Sequence, residues 1–198
     1  MRRVVLAALL PLFSLPVFAQ SGEVDRLANE IESEVISWRH HLHEYPELSN
    51  REFKTAEYVA RHLRSLNLEV QTGVAKTGVV AILDSGRPGP VVALRADMDG
   101  LPVPEENDLP WRSTQRGEYN GNDVPVMHAC GHDTHMAMLM GAASVLTSMK
   151  DKLHGKVKFI FQPAEEGAPA GEKGGAEVMV QEGVLKSPDV DVIFGLHI

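Results

Sequence analysis

The sequence predicts an α/β sandwich built on a largely parallel central sheet, and three observations carry that prediction. In the later part of the chain, short apolar runs alternate with segments of helical periodicity, the pattern that places helices against a parallel sheet. The runs "VVALRAD", "KVKFIF" and "DVIFGLHI" are short and rich in β-branched residues, as strands are. Each leads directly into ionisable residues: Asp97 and Asp99, Glu165 and Glu166, and His197. Ligands of open α/β sheets bind beyond the carboxyl ends of the strands, so these side chains are expected to share one crevice.

The elements follow in order. Residues 1–19, "MRRVVLAALLPLFSLPVFA", place Arg2 and Arg3 before an apolar, Pro-interrupted run ending in Ala19. That is the form of a secretory signal peptide, and it predicts an exported protein, periplasmic or secreted, with no membrane attachment after cleavage. Residues 20–198 are expected to form one catalytic-type domain. Val24, Leu27, Ile31, Val35, Trp38 and Leu42 recur at steps of three and four, which predicts one amphipathic helix stopped before Pro46. "SNRE" (49–52) has the form of a capping box opening a second helix that carries Phe53, Ala56, Val59, Ala60, Leu63 and Leu66. His40, His41 and His43 sit in the last turn of the first helix, where positive charge suits the helix dipole, and are expected at the surface without a chemical role.

Strands are expected at 78–83, 91–97, 156–161 and 191–198, with a shorter one at "LEVQT"; helices are expected at about 133–149 and 173–182. The polar, proline-bearing stretch 98–126 is long for a structureless connection and is expected to be a functional loop or to hold a small hairpin.

Charge narrows the function. The formal net charge is −8, and loss of residues 1–19 removes two arginines and makes it −10. An acidic chain of this kind argues against nucleic-acid binding. Its single cysteine, Cys130, has no partner for an internal disulfide, so in an exported protein it is buried, reactive, paired between molecules or held by a metal.

The segment "HACGHD" brings Cys130 and His132 onto a glycine turn before a helix. With Glu166 and His197 they offer one sulfur, two imidazoles and a carboxylate, a donor set suited to zinc and acceptable to manganese, cobalt or nickel. Glu165 is then left free to act as a base beside a ligand. Other assignments fit the same residues one at a time: the glutamates in a solvated loop, the histidines at a helix end, the cysteine in the core. A cysteine–histidine hydrolase is a further alternative, because a thiol near a helix N-terminus has a lowered pKa, but it gives the paired glutamates no task.

The motifs "ALRADMDGLPVPE", "HACGHDTHMAMLMGAA", "FIFQPAEEG", "GGAEVMVQEGVL" and "FGLHI", in that order, resemble the zinc-peptidase-like amidohydrolases, the family of hippurate hydrolase, N-acyl-amino-acid amidohydrolase and auxin-conjugate hydrolase. "RHHLHEYPELSNREFKTAEYVARHL" resembles the family's N-terminal helices. The resemblance implies a three-layer α/β sandwich with a mostly parallel mixed sheet, of zinc-exopeptidase type. It implies two divalent ions held by Cys130, His132, Glu166 and His197, with Cys130 bridging and Glu165 as general base. Asp97 and Asp99 would support the ligands, for example by orienting an imidazole. His128 and His135 are expected to lie near the metals without ligating them, and Asp133 to cap the helix or support a ligand.

The implied reaction is hydrolysis of the amide bond of a small N-acyl amino acid, of acetyl or benzoyl type. Members of the family are longer, carrying a lid domain often used for homodimerisation and a further ligand histidine. This chain is accordingly expected to be the portion before the lid. Two alternatives accompany that expectation: a non-catalytic fragment that binds metal, and a dipeptidase or aminopeptidase of the same superfamily.

Overall fold

The computed structural model describes residues 17–198, with side chains from residue 22 onward. The proposed signal peptide therefore lies almost entirely outside the described residues; Val17, Phe18 and Ala19 open the first helix. No described helix is long and apolar enough to cross a membrane.

Helices α1 (Val17–Glu30), α2 (Glu32–Glu44) and α3 (Phe53–Ser65) come first. Where periodicity predicts one helix over 24–42, the chain is broken at Ile31, which has φ −108° and ψ 7°. The apolar spacing runs through the break because Ile31 and Val35 both face the helix α4 (His132–Ser148), so the pattern records the shared partner and not the continuity of the helix.

Strands β1 (Glu69–Val74), β2 (Gly78–Asp84), β3 (Val91–Asp97), β6 (Lys156–Gln162) and β7 (Val192–Gly195) form one sheet in the order β1-β2-β6-β3-β7. β2 runs antiparallel to both neighbours, while β6, β3 and β7 are mutually parallel. Four of the five strands thus share a direction, in agreement with a mostly parallel mixed sheet. The strand expected at 191–198 forms over Val192–Gly195 and, among the described residues, pairs with β3 alone, leaving Ile193 and Phe194 exposed. Within 98–126 a small hairpin does form, β4 (Arg116–Tyr119) with β5 (Asn122–Pro125).

Alternation of side chains across the strands makes three layers. Val79, Ala81, Leu83, Ala96, Phe159 and Phe161 face α2, α3 and α4 (His132–Ser148), joining Leu63, Met136 and Met140 in the main core. Val80, Ala93 and Ile160 face the other way, against Met179 of α5 (Gly175–Gln181) and Val184. Phe159 and Phe161 have no exposed surface, and truncating either to alanine would cost about 3–5 kcal/mol. Lys158 points into the second layer, where its buried ammonium donates to the carbonyls of Val184, Lys186 and Pro188 and ties that connection to the sheet.

Register positions the chemistry. Asp97 pairs with Gln162 at the ends of parallel β3 and β6, and Gly195 sits opposite Arg95, so His197 lies two residues on, level with Asp97. The carboxyl ends of β3, β6 and β7 therefore open on the same edge, facing the start of α4.

Candidate metal centre

His132 is the centre of the site. It is the first residue of α4 and has no exposed surface. The preceding Gly131 adopts φ +80°, a conformation that a Cβ would strain, and this turn lets Cys130 and His132 approach the same space from two sides. The Nδ1–H of His132 donates to the main-chain oxygen of Asp99 at 2.8 Å, which fixes the ring and leaves the Nε2 lone pair facing outward from α4. Around that Nε2 stand Oδ2 of Asp97 at 3.6 Å, Oε2 of Glu165 at 3.6 Å and Oε1 of Glu166 at 3.7 Å.

Cys130, His132 and Glu166 each bring a donor atom within 4.8 Å of the others. Sγ of Cys130 is 3.6 Å from Nε2 of His197, so all four of the predicted ligands converge. A second set, Asp97, His132 and His135, is equally compact. There, however, His135 already gives Nδ1–H to Asp97 Oδ1 at 2.6 Å and accepts the Ile198 amide on Nε2 at 3.1 Å, so both of its nitrogens are engaged.

The donor set fits a divalent cation. Nε2 of His132 and Oε1 of Glu166 are buried polar atoms with no hydrogen-bond partner, a costly condition that a coordinated ion relieves. Burial lowers the pKa of His132, but the bond and charge of Asp99 and the charge of Asp97 outweigh it and raise it. Burial, with Glu166, Glu165 and Asp97 adding to it, pushes the Cys130 thiol up to about 11. A cation among them reverses both effects, since it replaces the proton on imidazole and holds the thiol as thiolate.

Supporting residues divide differently from expectation. Asp97 spends its carboxylate on His135 and, at 2.7 Å, on Arg95, rather than on orienting a ligand ring. Asp99 does orient His132, but through its main-chain oxygen; its carboxylate instead accepts the amides of Glu165 and Glu166, both at 3.0 Å, and the hydroxyl of Ser49 at 2.5 Å. Ser49 is thus drawn into the site, and "SNRE" is no capping box: Glu52 makes no capping bond, and the first-turn amide of Thr55 donates instead to Glu47 Oε2 at 2.8 Å. His128 is buried with neither ring nitrogen bonded, 6.4 Å from the His132 ring, and burial lowers its pKa to about 4, so it is neutral. Asp133 does not cap α4; it accepts bonds from His43 and Arg39.

His43 corrects the expectation of a surface cluster. It is buried between Asp133 and Glu105, with ring nitrogens 2.9 and 2.8 Å from their carboxylates. His40 stacks on Trp111 and His41 on Tyr58. The partners of His43 lie 62 and 90 residues away and leave no local signal.

A mixed α/β sheet whose strand ends gather cysteine, histidine and paired glutamates defines a metal-site protein of the zinc-exopeptidase architecture. Residues 93–198 match the model of peptidase family M20/M25/M40, and the chain belongs to that family. It is 48% identical over 179 residues to "Thermostable carboxypeptidase 1" of Saccharolobus solfataricus, covering 88% of this chain and 42% of that protein. It is 46% identical over 176 residues to an N-acyl-L-amino acid amidohydrolase of Geobacillus stearothermophilus, covering 89% and 44%. A Bacillus subtilis structure described as a dinuclear metal binding peptidase from the M20 family superposes with a TM-score of 0.74 at 40% identity, over 85% of this chain and 44% of that one. The chain thus spans less than half the length of these relatives.

Proposed function

We propose that this chain provides the metal-binding part of an exported amidohydrolase that cleaves the amide bond of small N-acyl amino acids. The observation that carries the proposal is Nε2 of His132, buried without a hydrogen-bond partner among Asp97, Glu165 and Glu166 and within reach of Cys130. Cys130, His132, Glu166 and His197 would hold two divalent ions, zinc or manganese.

Bound there, the ions supply Lewis acidity toward an amide carbonyl and acidify a water. Glu165 is a third exposed while Glu166 beside it faces inward, so Glu165 can reach a substrate. Its carboxylate takes the proton of the attacking water and returns it to the departing amine nitrogen. Asp99 keeps the two glutamates in step by holding both their amides. The leader-like residues 1–19 support export, and the amidohydrolase relative supports the substrate class.

The test is metal content by elemental analysis, together with hydrolysis of N-acetyl and N-benzoyl amino acids by a form extended to the length of the relatives. About two equivalents of metal and amide cleavage are expected from the extended form. Peptides with a free carboxyl terminus belong in the same panel, because the carboxypeptidase relative favours them as the rival substrate. Metal binding without turnover of any amide would leave a binding protein only.

A further inference from the structure

Three successive backbone amides lead into the paired glutamates, and all three donate to buried carboxylates. Asp99 takes Glu165 and Glu166, while the first, Ala164, donates to Oε1 of Glu52 at 2.8 Å. Ala164 adopts φ +49°, a left-handed conformation that a residue with a Cβ holds only when its surroundings enforce it. Those surroundings are tight: a Cβ on Gly174 would stand 2.9 Å from the Ala164 side chain.

Glu52 itself has no exposed surface and, among the described residues, no ion pair; its other oxygen accepts the Thr77 hydroxyl at 2.6 Å. Burial and the charge of Asp99 raise its pKa, against the bonds from Thr77 and Ala164. A carboxyl buried at that cost is not serving the helix it opens, because it makes no capping bond to α3. It reaches instead across 112 residues of chain to Ala164.

We propose that Glu52 is a positioning residue for the metal centre: its carboxylate clamps the Ala164 amide and so sets the turn that presents Glu165 and Glu166 to His132. This inference rests on the metal reading above and extends it to a residue that touches neither metal nor substrate.

The test uses cobalt(II) as the probe, with affinity from titration and ligand geometry from the visible absorption bands. Glu52→Leu is expected to weaken cobalt binding about ten- to hundredfold and to alter the bands, the range seen when a support behind a ligand is lost. Glu52→Gln, which can still accept the Ala164 amide and donate to Thr77, is expected to stay within about threefold of wild type. Leu63→Ala removes core from the same helix and serves as the stability control; it should lower Tm yet leave cobalt affinity unchanged. If Glu52→Leu yields only aggregate, Glu52→Asp, one methylene short of Ala164, carries the same expectation of weakened binding.

Wild-type affinity and bands in the recovered variant would overturn the inference, as would a loss no larger than that of Leu63→Ala. A wild-type protein that takes up no cobalt would overturn the metal reading and this inference together. Binding by wild type that the Glu52 variants leave untouched would overturn this inference alone.

Discussion

Replacing His43 with leucine tests the buried network behind the metal centre. The imidazole stands between Asp133 at the start of α4 and Glu105 in the long loop after β3, with side-chain exposures of only 6%, 1% and 1%. Arg39 also bonds Asp133, and Asn107 and the Ser113 amide bond Glu105, so the carboxylates keep some partners when His43 is lost. Removing one member of a buried charged set costs about 3–5 kcal/mol. At roughly 2–4 °C per kcal/mol for a chain of this size, Tm should fall by roughly 6–20 °C.

The pH dependence fixes the sign. The bond to Asp133 raises the His43 pKa, helped by Glu105 and opposed by burial. Its contribution is therefore complete below about pH 6.5 and is lost as pH rises through the higher folded value. Burial works to raise Asp133 and Glu105, but the bonds from His43 outweigh it and lower both. Their contributions are present above about pH 4 and fade as pH falls through the folded values. Thermal melts of wild type and His43→Leu from pH 4 to 9 should show the widest gap near pH 5–6, narrowing toward pH 9. A gap that stays flat across this range, or one under about 2 °C, would refute the charged-clamp account.

Other outcomes follow from the same structure. In the extended form, Glu165→Gln should lower amide turnover by roughly 10²–10⁴-fold while metal content stays at the wild-type level; undiminished turnover would remove Glu165 as the base. Zinc or manganese at about a hundred times Kd should stabilise the protein by about 2.7 kcal/mol, visible as a rise in Tm, and should shield Cys130 from iodoacetamide. Cys130→Ala should abolish most of that rise, and a full rise in the variant would exclude sulfur from the ligand set. Lys158→Met should destabilise by about 2–4 kcal/mol in urea titration, because three carbonyls of the 184–188 connection lose a charged donor. An unchanged midpoint would show that those bonds only repay the burial of the amine.

How much of this was legible depended on whether the determinant was local. β3 and the body of β6 appear in the sequence at their observed bounds because both are short, mostly apolar runs rich in β-branched or aromatic residues, bounded by polar segments. The gathering of the candidate ligands was legible for a related reason: strand ends and helix starts are where such a fold brings side chains together, and Cys130, His132, Glu166 and His197 stand at those positions and converge. The break at Ile31 was hidden, since both helices turn apolar residues toward α4 at compatible spacing. Ser49 and Glu52 imitate a capping box, and nothing within four residues reveals that their side chains are committed to Asp99, Thr77 and Ala164. His43, Glu105 and Asp133 pair across three separate elements, so their charges look like ordinary surface polarity until the chain is folded.

Asp99 shows why the site hangs together. One residue holds the His132 ring with its main-chain oxygen and the Glu165 and Glu166 amides with its carboxylate, so the imidazole and both glutamates cannot shift independently. The same packing concentrates negative charge. Asp97, Asp99, Glu165, Glu166 and the Cys130 sulfur crowd one imidazole, and Arg95 neutralises only Asp97. Burial, and after it Glu166, Glu165 and Asp97, raises the pKa of Cys130, while Asp99 and Asp97 outweigh burial to raise that of His132. Crowded acids of this kind repel one another when no cation lies among them, so Glu166→Gln, which removes one of the charges, is expected to raise Tm in the absence of metal and to lower zinc affinity; an unchanged Tm would show that the repulsion is screened.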